Sequence, residues 1–216
     1  EKELKELVLL RNKAAKASGY ANYYEMSMDL QEIDISWLMD TFDKLYGMTE
    51  PPYLKAKNEI DDALRKRFKV KEIMPWHYSD PYFQSAPRVE EFDYNKIYAK
   101  KEIIPLAKKF YAGIGLNVDN ILENSDMFER KGKSQHAFCT DIDRAGDVRI
   151  LMNIKNKVVE MKTLLHESGH AAYCLGHDKS SLPFLLRTHA QIFTTEAIAM
   201  VFEKMAYSGK WMQEFF

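Results

Sequence analysis

Apolar positions recur at helical spacing through the first two thirds of the chain. Leu4, Leu7, Val8 and the segment from Asn12 to Ala15 form one stripe, which Gly19 is suited to end as the residue just past a helix. Asp34 or Ser36 can cap a second helix that carries Ile35, Leu38, Phe42 and Leu45 and stops near Gly47. Pro51 and Pro52 suit the first turn of a third, running towards Phe68 through Leu54, Ile60 and Leu64. From Met74 to Pro87 aromatics and prolines crowd together, which predicts short helix and ordered loop. A further helix covers about Asn95 to Gly113, with a kink or break at Pro105, where a backbone donor is missing.

The period then shortens. Gln135-His-Ala-Phe-Cys-Thr-Asp-Ile and Asp147-Val-Arg-Ile-Leu-Met-Asn-Ile are short β-favouring runs joined by the turn composition Asp143-Arg-Ala-Gly. They predict a β-hairpin. Two long helices follow, roughly Lys157 to Leu175 and Arg187 to Ser208, separated by a polar loop with Gly176, Ser180, Ser181 and Pro183. No repeat, low-complexity tract or linker interrupts the chain. The expected fold class is mainly α with a small antiparallel β-hairpin beside the first of those long helices. Residues 1–216 read as part of a single catalytic domain with no internal boundary. Both ends break off inside helical patterns, so truncation at each end is expected.

Composition narrows the partners. The 216 residues hold 31 Lys and Arg against 32 Asp and Glu, a net charge of −1, so nothing draws the chain to nucleic acid or an anionic membrane. No apolar run approaches the roughly 20 residues of a membrane span. Two cysteines, Cys139 and Cys174, make no disulfide framework, and no secretory leader opens the sequence. A cytoplasmic setting is expected.

The chemistry centres on His166-Glu-Ser-Gly-His170, an HExxH motif flanked by Leu164, Leu165, Ala171 and Ala172. On a helix the i, i+4 spacing places both imidazoles on one face, where they can share a tetrahedral Zn²⁺. Glu167 lies about 100° round the helix from His166, placed to act on water as general base rather than to ligate. Chance supplies such a motif in on the order of one per cent of chains this long. A catalytic zinc needs a third protein ligand and an open position. The metzincin spacing fails, because Tyr173 and Gly176 stand where Gly and His are required and His177 misses by one. Glu196, 26 residues after His170, suits a return helix after a loop. Its neighbours Ile192, Phe193, Ala197, Ile198 and Val201 leave little polar face, so a carboxylate there is expected to need a partner. One zinc per chain on His166, His170 and Glu196 is the expected centre. Glu167 then takes a proton from water and later delivers it to the leaving amine.

Other candidates carry weaker signals. His136 opens the hairpin, where an edge strand can take up an extended peptide. His77, between Trp76 and Tyr78, reads as packed among aromatics, while His177 and His189 read as surface or packing residues. Tyr20, Tyr23 and Tyr24 read as core.

Taken together, His136-Ala-Phe-Cys, Arg149-Ile, the HExxH motif, Arg187 and Glu196-Ala-Ile resemble the angiotensin-converting-enzyme-like peptidyl-dipeptidases and their thimet-type oligopeptidase and oligoendopeptidase relatives. Arg11-Asn-Lys-Ala-Ala-Lys, Gly19-Tyr, Tyr23-Tyr and Pro75-Trp-His-Tyr look like the same group. The resemblance implies a mostly helical fold with a deep groove that admits short peptides. It also implies that His136 and the backbone of Ala137 and Phe138 bind substrate. Two departures stand out. Where converting enzymes hold a zinc histidine with an Asp four residues past the glutamate, this chain has Met200, so Glu203 or an outside group must orient the imidazole. Those enzymes also supply a tyrosine and a histidine to the oxyanion from farther downstream. The expectation is therefore a piece of a longer peptidase, inactive or weak alone, partnered by the remainder of its own chain. A metallocarboxypeptidase of the same helical clan would need a cationic clamp, with Arg187 and Arg149 as candidates. A zinc-stabilised binding fragment would favour a fourth ligand, but Cys174 reads as a buried small residue.

Overall fold

The structure is a computed structural model that describes residues 1–78, 93–176 and 181–216. It divides into two compact units, Glu1–Glu91 and Phe92–Phe216. The architecture is mainly helical with a two-stranded antiparallel sheet, the expected class. No described helix is long and apolar enough to cross a membrane.

The first unit holds α1 (Lys2–Ala17), α2 (Tyr23–Leu30) and α3 (Ile35–Phe68), then a 3₁₀ turn, Pro75–His77. Gly19 ends α1 as expected. At φ +91° it turns the chain so that its own N–H reaches Lys16 O and that of Tyr20 reaches Ala15 O, the bonding of a Schellman stop. Helix α2, eight residues long, is too short to show as a stripe; Asn22 starts it by accepting from the Glu25 N–H at 2.9 Å. None of Tyr20, Tyr23 and Tyr24 is buried, so the expected tyrosine core is absent. Tyr20 lies in the connection after α1, and Tyr23 and Tyr24 open α2 at the surface.

The two helices expected on either side of Gly47 are one. Asp34 caps α3 by accepting from the Trp37 N–H, and the helix continues through Pro51 and Pro52 for 34 residues. Each interior proline costs about 3 kcal/mol in isolation. Two adjacent ones remove donors from a single turn, and long stretches of regular helix continue on both sides. Near the C-terminal end, Asp61 accepts from Lys57 Nζ at 2.6 Å and from Tyr78 Oη at 2.7 Å. His77 packs against Phe68 and Trp76, as its setting predicted. The rest of the Met74 to Pro87 segment lies outside the described residues.

The second unit holds α4 (Tyr94–Tyr98), α5 (Ile103–Gly113), α6 (Asp119–Glu123), β1 (Phe138–Asp141), β2 (Val148–Leu151), α7 (Val158–Leu175), α8 (Ile192–Glu203) and α9 (Gly209–Phe215), with 3₁₀ turns at Phe184–Leu186 and Lys204–Tyr207. The expected Asn95 to Gly113 helix breaks between Tyr98 and Ile103. Pro105 thus falls in the first turn of α5, where its missing N–H has no helical partner to lose. Strand β1 pairs with β2 in the register Phe138↔Leu151 to Asp141↔Val148. Asp143 closes the turn by accepting from the Ala145 and Asp147 N–H groups.

The core gathers on α7, whose Met161, Leu164, Leu165 and Ala171 are buried where α5, the hairpin, α8 and the 3₁₀ turn Lys204–Tyr207 pack on it. Tyr111 donates to Leu165 O, and Tyr98 donates to Ala206 O at 2.7 Å. The hairpin's base is clasped by Lys133, whose buried ammonium donates to Asp126 O, Asp126 Oδ1, Phe128 O and Met152 O.

Helices α7 and α8 run antiparallel and very close. A Cβ on Gly169 would meet Ala199 Cα at 2.9 Å and Phe202 Cδ2 at 3.1 Å. In an open helix, glycine to alanine gains about 0.5–1 kcal/mol. At Gly169 the clash should reverse the sign, because overpacking against backbone costs about 1–3 kcal/mol. Gly47 in α3 has nothing within 4 Å of that position and supplies the comparison. Thermal unfolding should show Gly47→Ala stabilised and Gly169→Ala destabilised; stabilisation of both would mean the two helices can separate freely.

Candidate metal centre

Because the apolar stripe of α7 faces the core, its other flank is left for α8 and a cleft of about 480 Å³. His166 and His170 stand one turn apart on that flank, with side chains 20% and 17% exposed. Their Nε2 atoms approach to 3.1 Å. Glu196 reaches them from the start of α8, with Oε2 3.5 Å from His166 Nε2 and Oε1 3.6 Å from His170 Nε2. One donor atom from each of the three lies within 4.8 Å of the other two.

These residues fit a bound cation. His166 Nδ1 meets Glu203 Oε2 at 3.0 Å; a carboxylate only accepts, so Nδ1 carries a ring proton, and it is Nε2 that is directed to the ligand cluster. Burial holds His170 below its ordinary pKa, opposed by Glu196 and reinforced by His166 and His189, so that ring is neutral at pH 7. Lone pairs and a carboxylate converging on one point are a ligand set of the kind zinc takes. Among the described residues this is the group of histidine, cysteine and carboxylate side chains that lie close enough together to hold a metal ion.

The sequence located Glu196 for a reason the structure corrects. Its side chain is 49% exposed, and Ile192, Phe193, Ile198 and Val201 point their apolar side chains outwards. What partners its carboxylate is the histidine pair, not an apolar enclosure. The need for a substitute at Met200 is met as anticipated: Met200 is exposed, and Glu203 holds His166 while its Oε1 lies 3.4 Å from Lys162 Nζ.

Glu167 turns to the hairpin side of α7, only 7% exposed. Burial pushes its pKa up, and Glu196 pushes it the same way, while His166 and a hydrogen bond from the Cys139 N–H oppose the shift. A carboxylate so placed is a stronger base than one in water.

Phe138, the first residue of β1, and Ala137 just before it line the cleft that Glu167 also lines. His136 is exposed and stands just outside that lining. Cys174 is half-buried on the cleft wall rather than fully enclosed. Arg187 precedes α8 instead of opening it, and it lines the cleft. Arg149 does not; its guanidinium closes on Asp147 at 2.7 and 2.8 Å. His189, read from the sequence as a surface or packing residue, lines the cleft, and so does Arg144, visible beforehand only as turn composition. His177 lies outside the described residues.

The Glu203 contact predicts that Glu203→Ala should weaken zinc binding by about 10–100-fold, the usual effect of removing a carboxylate that orients a metal histidine. Competition with a chromophoric chelator measures it; affinity within threefold of the parent would show that His166 is oriented without Glu203.

A mainly helical unit in which HExxH meets a glutamate from the next helix is the arrangement the motif called for. The family model described as angiotensin-converting enzyme, a peptidase family, matches residues 81–215, and the chain belongs to that family. No curated protein matches the chain.

Proposed function

We propose that the chain is a zinc-dependent peptidase acting on short peptides, as an oligopeptidase or peptidyl-dipeptidase. The observation that carries this reading is the convergence of His166, His170 and Glu196 beside a buried Glu167. Zinc held by those three residues would supply Lewis acidity, bringing the pKa of water from 15.7 to about 7 and polarising a carbonyl. Three protein donors leave a coordination position open, as a catalytic site requires. Glu167 accepts the proton of the attacking water and returns it to the departing amine. Strand β1 offers its edge to an extended peptide, with Ala137 and Phe138 along the backbone and His136 at the mouth of the cleft. Short peptides are the substrate class.

The test is direct. The purified chain should take up one equivalent of zinc and cleave a short quenched fluorescent peptide, even if only weakly. Chelation should stop cleavage and added zinc restore it. Failure to bind stoichiometric zinc would overturn the proposal, as would cleavage indifferent to chelation.

A further inference from the structure

The last turn of α3 and the chain just past it concentrate positive charge. From Ala63 to Tyr78 the sequence holds Arg65, Lys66, Arg67, Lys69 and Lys71 against a single acid, Glu72. The net charge of −1 is a sum over the whole chain and conceals this local excess. Cations in a last helical turn are favoured by the helix dipole, which accounts for Arg65, Lys66 and Arg67. Lys69 and Lys71 lie beyond that turn, and Lys69 takes a left-handed conformation (φ 55°, ψ 41°) that favours glycine. Arg65 is paired with Asp62 at 2.6 Å. Among the described residues Lys66, Arg67, Lys69 and Lys71 have no carboxylate within ion-pair distance, and all four are exposed.

Aromatic rings are folded onto the same end. The 3₁₀ turn Pro75–His77 comes back against α3. The His77 ring centre lies 5.1 Å from that of Phe68, and Tyr78 Oη donates to Asp61 at 2.7 Å. His77 Nδ1 accepts from the Met74 N–H at 2.8 Å and holds the turn closed. Trp76 is thereby presented beside the cations with 72% of its surface exposed. An indole keeps its apolar ring out of water and its N–H hydrogen-bonded when it sits at the headgroup level of a bilayer.

The chemistry of the patch selects among anionic partners. Three of the four unpaired cations are lysines, point charges that suit a diffuse anionic surface; an arginine fork suits a fixed carboxylate or phosphate. Stacked bases of a single strand need free ring faces, but Phe68 packs on His77 and carries the Arg67 guanidinium 5.3 Å from its centre. A helix tip is also convex, so it meets a flat surface more readily than a strand that must lie in a groove.

We propose that the end of α3, together with Trp76, is a docking surface for an anionic lipid bilayer. Each Lys or Arg close to such a surface adds about fivefold to binding, so the four add about 10²–10³-fold. Charge alone is a marginal anchor, and Trp76 supplies the second signal that stable peripheral binding needs. None of these residues lines the metal cleft, so the inference stands apart from the peptidase reading.

The test is co-sedimentation of the full chain with vesicles of phosphatidylcholine, alone or with about one third phosphatidylglycerol. At low salt the anionic vesicles should bind at least about tenfold more tightly, and added salt should screen most of the difference away. Tryptophan emission should shift to the blue on binding. Trp76→Ala should abolish the shift and weaken binding. Lys69→Gln combined with Lys71→Gln should weaken binding about 25-fold, and neither position lies within the helix. The same loss of charge on α1, Lys2→Gln with Lys13→Gln, should leave binding nearly unchanged. Equal binding to both kinds of vesicle overturns the proposal, and so does anionic binding that survives the Lys69 and Lys71 substitutions. Polyglutamate or a single-stranded oligonucleotide that binds with the same lysine dependence, while vesicles fail to compete, overturns it in favour of that partner. The salt and lipid dependence of the parent chain decides the matter if a variant fails to fold.

Discussion

Replacing Glu167 with Gln should leave zinc bound and lower peptide turnover by about 10²–10⁴-fold, the usual contribution of a positioned general base. The substitution keeps the side chain's shape, and an amide oxygen can still accept from the Cys139 N–H. It removes only the proton acceptor, and Glu167 does not belong to the ligand group of His166, His170 and Glu196. The same residue should reveal itself in stability. Its pKa is raised in the folded chain, chiefly by burial, so the folded state binds that proton more tightly than the unfolded one. Its contribution is therefore fully present below the ordinary carboxylate pKa and is lost as pH rises through the raised value. Metal-free Glu167→Gln should melt higher than the metal-free parent at pH 7, with the gap closing towards pH 4. Steady-state kinetics at fixed zinc content and a pair of melting curves check both statements. Turnover within a few-fold of the parent would remove Glu167 from the chemistry.

The complementary result is expected of His170→Ala: zinc content should fall from one equivalent to a small fraction, and activity should go with it. The ring is held neutral by burial, so at pH 7 no proton competes with the metal for Nε2. Removing it leaves two donors on opposite helices, His166 and Glu196, too few for a stable tetrahedral site. Cys174 and His189 stand on the same wall and are the side chains able to stand in. Undiminished stoichiometric zinc by elemental analysis would show that His170 is not a ligand or that one of them replaces it.

What could be read beforehand follows the range of the interactions involved. The HExxH pair is local, fixed by one helical turn, and it was legible at once. So was the hairpin, because Asp143 builds its turn from backbone donors two and four residues away. Glu196 was found by its distance along the chain although the supposed apolar enclosure is absent. Glu203 appeared only as a requirement left open by Met200. The α3 helix defeated the reading because proline rules describe a local loss, whereas the continuity of 34 residues depends on what both flanks gain. The cleft positions of Arg144 and His189 could not be seen in advance: a turn and a loop bring them there, and no period in the sequence encodes that meeting.

The clasp at the base of the hairpin makes one amine of this protein chemically silent. The side chain of Lys133 is 1% exposed, and its hydrogens point at backbone carbonyls of Asp126, Phe128 and Met152 and at the Asp126 carboxylate. An acylating reagent would modify surface lysines such as Lys2 and Lys131 while this one stayed unlabelled. Labelling could reach it only in molecules whose hairpin base had come open. An acylated amine has lost its charge and two of its three hydrogens and could not close the clasp again. The reaction at Lys133 would thus collect opened molecules one by one, and its rate would time the breathing of the wall that carries Cys139 to Glu167.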